Sequence, residues 1–272
     1  MITTIIILFI LWTIFGSFGW VLISREWDKE WIKSIFLWRS RCDKCKKTLN
    51  AIELIPIISF FAQKWKCKNC GTKLSNFYWI IELICWIVFV LTYLLVPYWN
   101  LFELWFWLIV NWGLLFLIIN DIMKYELHTP FWIFTTIVAL IYWIIKFSWT
   151  PLLLCAIFVS IFLCIYFFAK FYVKIRYKKS WEWFGVWDVY LSATIWLLAV
   201  RIFSYNWIEI LSRNIIAIIL SFVIWSCVLW LIYTLVERIT SNRKDIKIPF
   251  LPAMIICFWI LILFGKYFIT LY

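Results

Sequence analysis

Phe102-Glu-Leu-Trp-Phe-Trp-Leu-Ile-Val-Asn-Trp-Gly-Leu-Leu-Phe-Leu-Ile-Ile-Asn-Asp121 is an apolar run that ends on an acid. At 1.5 Å per residue a helix of about 20 residues crosses the roughly 30 Å of a bilayer's hydrocarbon core. Comparable runs recur along the whole chain, at about 2–23, 77–96, 102–120, 131–148, 151–169, 185–205, 214–236 and 249–270. The 272 residues are 66% hydrophobic and only 15% charged. These features exclude an ordinary soluble domain. They predict an all-α polytopic membrane protein with about eight transmembrane helices. The first run is too long for the core of a signal peptide and has no basic segment before it, so it is expected to remain as a span.

Charge gives the orientation. Of the 26 Lys and Arg, 22 fall in residues 24–76, 121–130, 170–184 and 237–248. The remaining four are Lys146, Arg201, Arg213 and Lys266. This asymmetry places the basic loops in the cytoplasm and both termini outside. It also explains the net charge of +12 without a nucleic-acid partner, since no basic face of a soluble domain is evident. The expected organisation is a first span (1–23), a cytoplasmic loop domain (24–76) and a seven-helix membrane core (77–272).

Asp121 and Asp188 each stand where an apolar run meets a loop on the cytoplasmic side. A carboxylate at the centre of a membrane helix costs roughly 2.5–3.5 kcal/mol on insertion scales, so such residues point to function. Two on one side can share a proton and activate a water. The alternative is a pair of helix-end carboxylates, with Asp188 stabilised by a helix dipole. The single histidine, His128, fits an interfacial turn better than a metal ligand or proton shuttle.

The first loop carries Cys42-Asp-Lys-Cys45 and Cys67-Lys-Asn-Cys70-Gly71. Two CxxC hooks supply four thiolates, a set suited to tetrahedral structural zinc. Gly71 permits the tight turn after the second hook. A reducing cytoplasm argues against disulfides; a redox pair and free thiols are the other readings. Cys85, Cys155, Cys164, Cys227 and Cys257 lie within apolar runs and read as buried small hydrophobes.

Several segments occur in a recognisable order. They are Gly16-Ser-Phe18, Arg39-Ser-Arg-Cys42 with Cys45, Glu53-Leu-Ile-Pro-Ile57 with Ser59, Lys66-Cys67 to Gly71, Tyr78 with Glu82, and Ile248-Pro-Phe-Leu-Pro252. Together they resemble the prepilin peptidases, bifunctional aspartyl proteases and N-methyltransferases of type IV pilus and type II secretion systems. Asp121-Ile-Met-Lys-Tyr-Glu-Leu-His-Thr129 is similar to the family's first aspartate segment, with His128 and Thr129 departing from it. Gly185-Val-Trp-Asp188-Val-Tyr-Leu191 is similar to the second, with Trp187 in place of glycine and Tyr190 in place of lysine.

The resemblance implies a bacterial inner-membrane endopeptidase with Asp121 and Asp188 as catalytic residues. Its substrates would be prepilins or pseudopilins, cleaved after a basic leader at the cytoplasmic face. It also implies methylation of the new N-terminus with S-adenosylmethionine, for which the sequence has no glycine-rich cofactor loop. The competing reading is a non-catalytic membrane scaffold that docks pilus or secretion assembly partners through its zinc loop. A proton-relay transporter fits less well, because neither aspartate lies at mid-membrane.

Tryptophan is in excess and glycine in deficit, 23 against 6. Trp65, Trp86 and Trp187, with Trp181, Trp183 and Trp196, stand where the resemblance expects glycine or follow the same pattern. A lineage that decodes UGA as glycine would produce this when its genes are read with UGA as tryptophan. Trp20, Trp38 and Trp79 do not fit that substitution, and a protein truly rich in tryptophan is the alternative.

Overall fold

The computed structural model describes residues 2–24, 42, 44–45, 47–50, 53, 58–95, 100–124, 127–145, 150–177, 186–205, 214–240 and 250–269. Of the positions singled out above, 38–41, 54–57, 181, 183, 185 and 248–249 lie outside these residues, as does the side chain of Trp187. Among the described residues there are nine helices and no strand: α1 (Ile2–Ser24), α2 (Ile58–Ala62), α3 (Phe77–Leu95), α4 (Leu101–Lys124), α5 (Thr129–Ile145), α6 (Thr150–Tyr177), α7 (Val186–Tyr205), α8 (Asn214–Thr240) and α9 (Leu251–Ile269).

Each of the eight apolar runs corresponds to a helix, with ends shifted by a few residues. By length and composition, two helical stretches among the described residues suffice to cross a membrane: Leu101–Lys124 and Cys155–Tyr172. They differ in setting. Most of α4 is buried, including its polar residues Glu103, Asn111, Asn120 and Asp121. In contrast, α6 presents Phe167, Phe168 and Phe171 outward, as a helix facing an apolar medium would.

The chain forms two compact units, Met1–Leu94 and Leu95–Tyr272. In the first, α1 lies against α3 where Gly16 removes a side chain from the seam. A Cβ at Gly16 would stand 3.1 Å from the Cα of Glu82 and 3.4 Å from the Cys85 side chain. The first of these contacts is backbone, which cannot rotate away. Gly16→Leu is therefore expected to lower stability by about 1–3 kcal/mol, read as a fall in the midpoint of thermal unfolding in detergent.

In the second unit α9 packs on α4, α7 and α8; α5 packs on α4 and α7; and α6 packs on α7. Asn100 caps α4, its side-chain oxygen accepting from the Glu103 N–H at 2.9 Å. The Glu103 side chain is itself 1% exposed and accepts from the Tyr142 hydroxyl at 3.3 Å. The Tyr142 ring stacks on Phe106 with centroids 4.1 Å apart. Trp259 on α9 donates to the Asn111 side chain at 3.2 Å. Such buried polar pairs fix the register of helices whose apolar faces alone would slide. Tyr142→Phe keeps the stacking and deletes one donor to a buried acid. It is expected to cost about 1–3 kcal/mol, measurable by the same unfolding midpoint.

Candidate active site and metal centre

The chain between α4 and α5 is short, so the C-terminus of α4 and the N-terminus of α5 are held together. His128 caps α5: its Nδ1 accepts from the Phe131 N–H at 3.2 Å, and its carbonyl accepts from the Trp132 N–H at 3.1 Å. The side chain is 2% exposed and its ring lies 4.8 Å from that of Phe131. A turn residue was the sequence expectation, and helix capping is the work it does.

A polar seam then ties α5 to α7. The Thr136 and Thr194 hydroxyls are 2.7 Å apart. The Trp132 indole N–H reaches the Tyr190 carbonyl at 3.2 Å and the Thr194 hydroxyl at 3.1 Å. Further along, the Trp143 indole N–H donates to the Leu197 carbonyl at 2.8 Å. Tyr190 also stacks on Trp132, with centroids 5.3 Å apart. None of these helix-to-helix contacts is visible from periodicity, although paired Thr and Trp inside apolar runs were a signal for them.

The same unit carries two buried acids 67 positions apart in sequence. Asp121 lies near the C-terminus of α4, and Asp188 in the first turn of α7. They are 7% and 8% exposed. They are close enough for the charge of one to act on the other. Asn120, beside Asp121, is 1% exposed and is a polar neighbour that the sequence reading did not single out. Both acids are largely screened from bulk water.

The second cluster lies in the first unit. The Sγ atoms of Cys42, Cys45, Cys67 and Cys70 all lie within 4.8 Å of one another. Cys42 and Cys70 are 3.8 Å apart, and Cys45 and Cys67 are 4.0 Å apart. Each hook is shaped by its backbone. The Cys42 N–H donates to the Lys47 carbonyl, the Cys67 N–H to the Thr72 carbonyl and the Gly71 N–H to the Cys67 carbonyl, each at 2.9 Å. Gly71 takes φ 67°, the left-handed turn expected for it. The Thr72 hydroxyl, 3.2 Å from the Cys70 sulfur, is the main cause of that thiol's being pulled down to about 6. The Asn69 amide donates to the Cys45 sulfur at 3.6 Å. Thiolates held together in this way could hold a metal ion.

Comparison with known proteins bears on this same unit. A family model described as the bacterial peptidase A24 N-terminal domain matches residues 10–96. Residues 10–96 are thus similar to that domain. The A24 segment contains the Gly16 seam, both cysteine hooks and Glu82. The Bacillus subtilis (strain 168) "Prepilin leader peptidase/N-methyltransferase" is 45% identical over 78 residues, which are 29% of this chain and 30% of that protein. The protein of the same name in Vibrio cholerae is 34% identical over 80 residues, 28% of this chain and 32% of the relative. The one in Myxococcus xanthus is 36% identical over 84 residues, 31% of this chain and 24% of the relative. The chain thus spans about a quarter to a third of the length of these curated relatives. No solved structure matches. The resemblance to prepilin peptidases read from the motifs therefore holds, carried by the A24 segment. Asp121 and Asp188 lie outside the matched residues 10–96.

Proposed function

We propose that the chain is a membrane-embedded aspartyl endopeptidase that removes the basic leader of prepilin-like proteins at the cytoplasmic face. The observation that carries this reading is the burial of two acids, Asp121 and Asp188, on different helices within range of each other's charge. The names of the A24 relatives support prepilin processing as the activity.

In the proposed mechanism one aspartate is ionised and takes a proton from water. The other is protonated and donates to the leaving amine. The water attacks the peptide carbonyl directly, and the proton returns between the two acids after each turnover. Which aspartate acts as base and which as acid is left open by the proposal. The substrate's leader carries positive charge, and its apolar helix would lie in the membrane beside α4 and α7. The scissile bond, at the junction of leader and helix, then falls at the depth of the aspartates. This requires the orientation given by the basic loops, with both termini outside. The relatives' names join N-methylation of the product to cleavage, and S-adenosylmethionine would be its donor.

Zinc is the proposed metal of the cysteine site. A tetrahedral zinc with Zn–S bonds of about 2.3 Å needs sulfurs roughly 3.8 Å apart. Two of the sulfur pairs here are separated by 3.8 and 4.0 Å. Cys42, Cys45, Cys67 and Cys70 would hold the ion, and its role would be to fix the loop.

The test is cleavage of a peptide with a basic leader and an apolar helix by membranes containing the chain. Processing at the leader junction is expected. An intact peptide in the presence of chain with loaded zinc would favour the docking scaffold. Trp187 directly precedes Asp188, and an indole there would crowd a substrate backbone. Trp187→Gly is expected to raise the cleavage rate over a chain made with tryptophan at 187, measured as kcat/KM on the same peptide.

A further inference from the structure

Helix α2 ends in a tightly specified stop. The Lys64 N–H donates to the Phe61 carbonyl at 3.0 Å, and the Trp65 N–H to the Phe60 carbonyl at 3.2 Å. This is the hydrogen-bond pattern of a Schellman turn. Immediately after it the Leu74 N–H donates to the Trp65 carbonyl at 2.8 Å, and Lys66 bridges to Lys73. Position 65 is therefore gripped on both sides, and its backbone takes φ 63°. Lys64 before it is at 48°, and the remaining positive φ among the described residues belongs to Gly71. Left-handed backbone is crowded by a Cβ and free for glycine; a bulky aromatic there is an outlier. The Trp65 side chain is 45% exposed and touches Phe60 and Phe61 with ring centroids 6.2 Å away in each case, so it is only partly packed.

A second, independent place shows the same mismatch. At Gly16 the backbones of α1 and α3 come so close that a Cβ would press on the Glu82 backbone. Four residues earlier on α1, in the same seam, stands Trp12. It is 2% exposed and lies against Phe89. Trp86, across the seam on α3, lies edge-on to Phe9 with centroids 5.6 Å apart. The indole N–H groups of Trp12 and Trp86 are both buried with no acceptor among the described residues. A buried tryptophan ordinarily finds one, as Trp143 does here.

We propose that positions 12, 65 and 86 are glycine in the protein made by its own cell, because UGA codons at these sites are decoded as glycine. Glycine at 65 relieves the left-handed backbone. Glycine at 12 joins Gly16 to give two small residues four apart, the spacing that lets helix backbones touch. Glycine at 86 empties the facing position on α3 and removes an unsatisfied donor. The same decoding accounts for a chain with 23 tryptophans and 6 glycines.

Two readings of the native system test this. The codons at 12, 65 and 86 are read from the genomic DNA, and the peptides spanning them are sequenced by mass spectrometry from the source cell. UGA at all three with glycine in the peptides is the expected result. UGG at any of the three overturns the proposal, as does UGA with tryptophan or any other residue in the native peptide. A recombinant comparison isolates the backbone argument. Trp65→Gly is expected to slow proteolysis of the zinc-loaded loop by about fivefold, while Trp65→Ala, which keeps a Cβ, does not. Equal protection by the two variants would contradict the left-handed requirement at 65.

Discussion

Replacing either aspartate by asparagine is expected to lower leader cleavage by about 10²–10⁴-fold in kcat/KM, the range of a lost general acid or base. A carboxamide at either position keeps the shape of the buried site but can neither accept the water's proton nor donate one to the leaving amine. Because Asp121 and Asp188 are 7% and 8% exposed, bulk water cannot readily substitute as a base. The loss should therefore appear in the chemical step rather than in substrate binding. The leader peptide's KM should change little. Zinc content should be unchanged, because the cysteine cluster belongs to the other compact unit. A fall in kcat with constant KM and constant metal content separates catalysis from damage to the fold.

Removal of the proposed zinc is expected to be the other large effect. Among the described residues of 42–70, the buried apolar side chains are Phe60 and the cysteines Cys42 and Cys67. Metal binding in small structural zinc sites contributes on the order of 10–16 kcal/mol, far more than the surrounding contacts can supply. Cys67→Ser removes a buried ligand and is expected to unfold the loop, as is prolonged chelation. The readouts are stoichiometric zinc by elemental analysis, which should fall from one per chain towards zero, and rapid proteolysis near residues 44–74. A loop equally protected with and without metal would show that the four thiols are not its structural support.

The apolar runs revealed the helices because a 20-residue hydrophobic segment has few other stable solutions. Cysteine spacing was equally legible: the two hooks meet as their sequence pattern requires, and Gly71 turns as expected. The positions of Asp121 and Asp188 at helix ends could be read from the meeting of apolar and basic segments. Their proximity could not. The helix arrangement involves the Thr136–Thr194 contact and the Trp132 and Trp143 hydrogen bonds between α5 and α7, which leave no periodic trace. Glu103 and Tyr142 were missed for the same reason, since a lone acid near a helix start resembles an ordinary first-turn charge. His128 was legible as a turn residue, but its capping of α5 emerges only from the direction of its ring. The excess of tryptophan was visible in composition, whereas the left-handed backbone at Trp65 is a property of the fold.

The sharpest test of a shared carboxylate pair is the cleavage rate of the Asp121→Asn/Asp188→Asn double variant beside each single variant on one leader peptide. Groups that work as a unit lose their function once, so the account predicts a double-variant rate close to that of the slower single variant. A double-variant loss equal to the product of the two single losses, or processing that persists in all three, would contradict it.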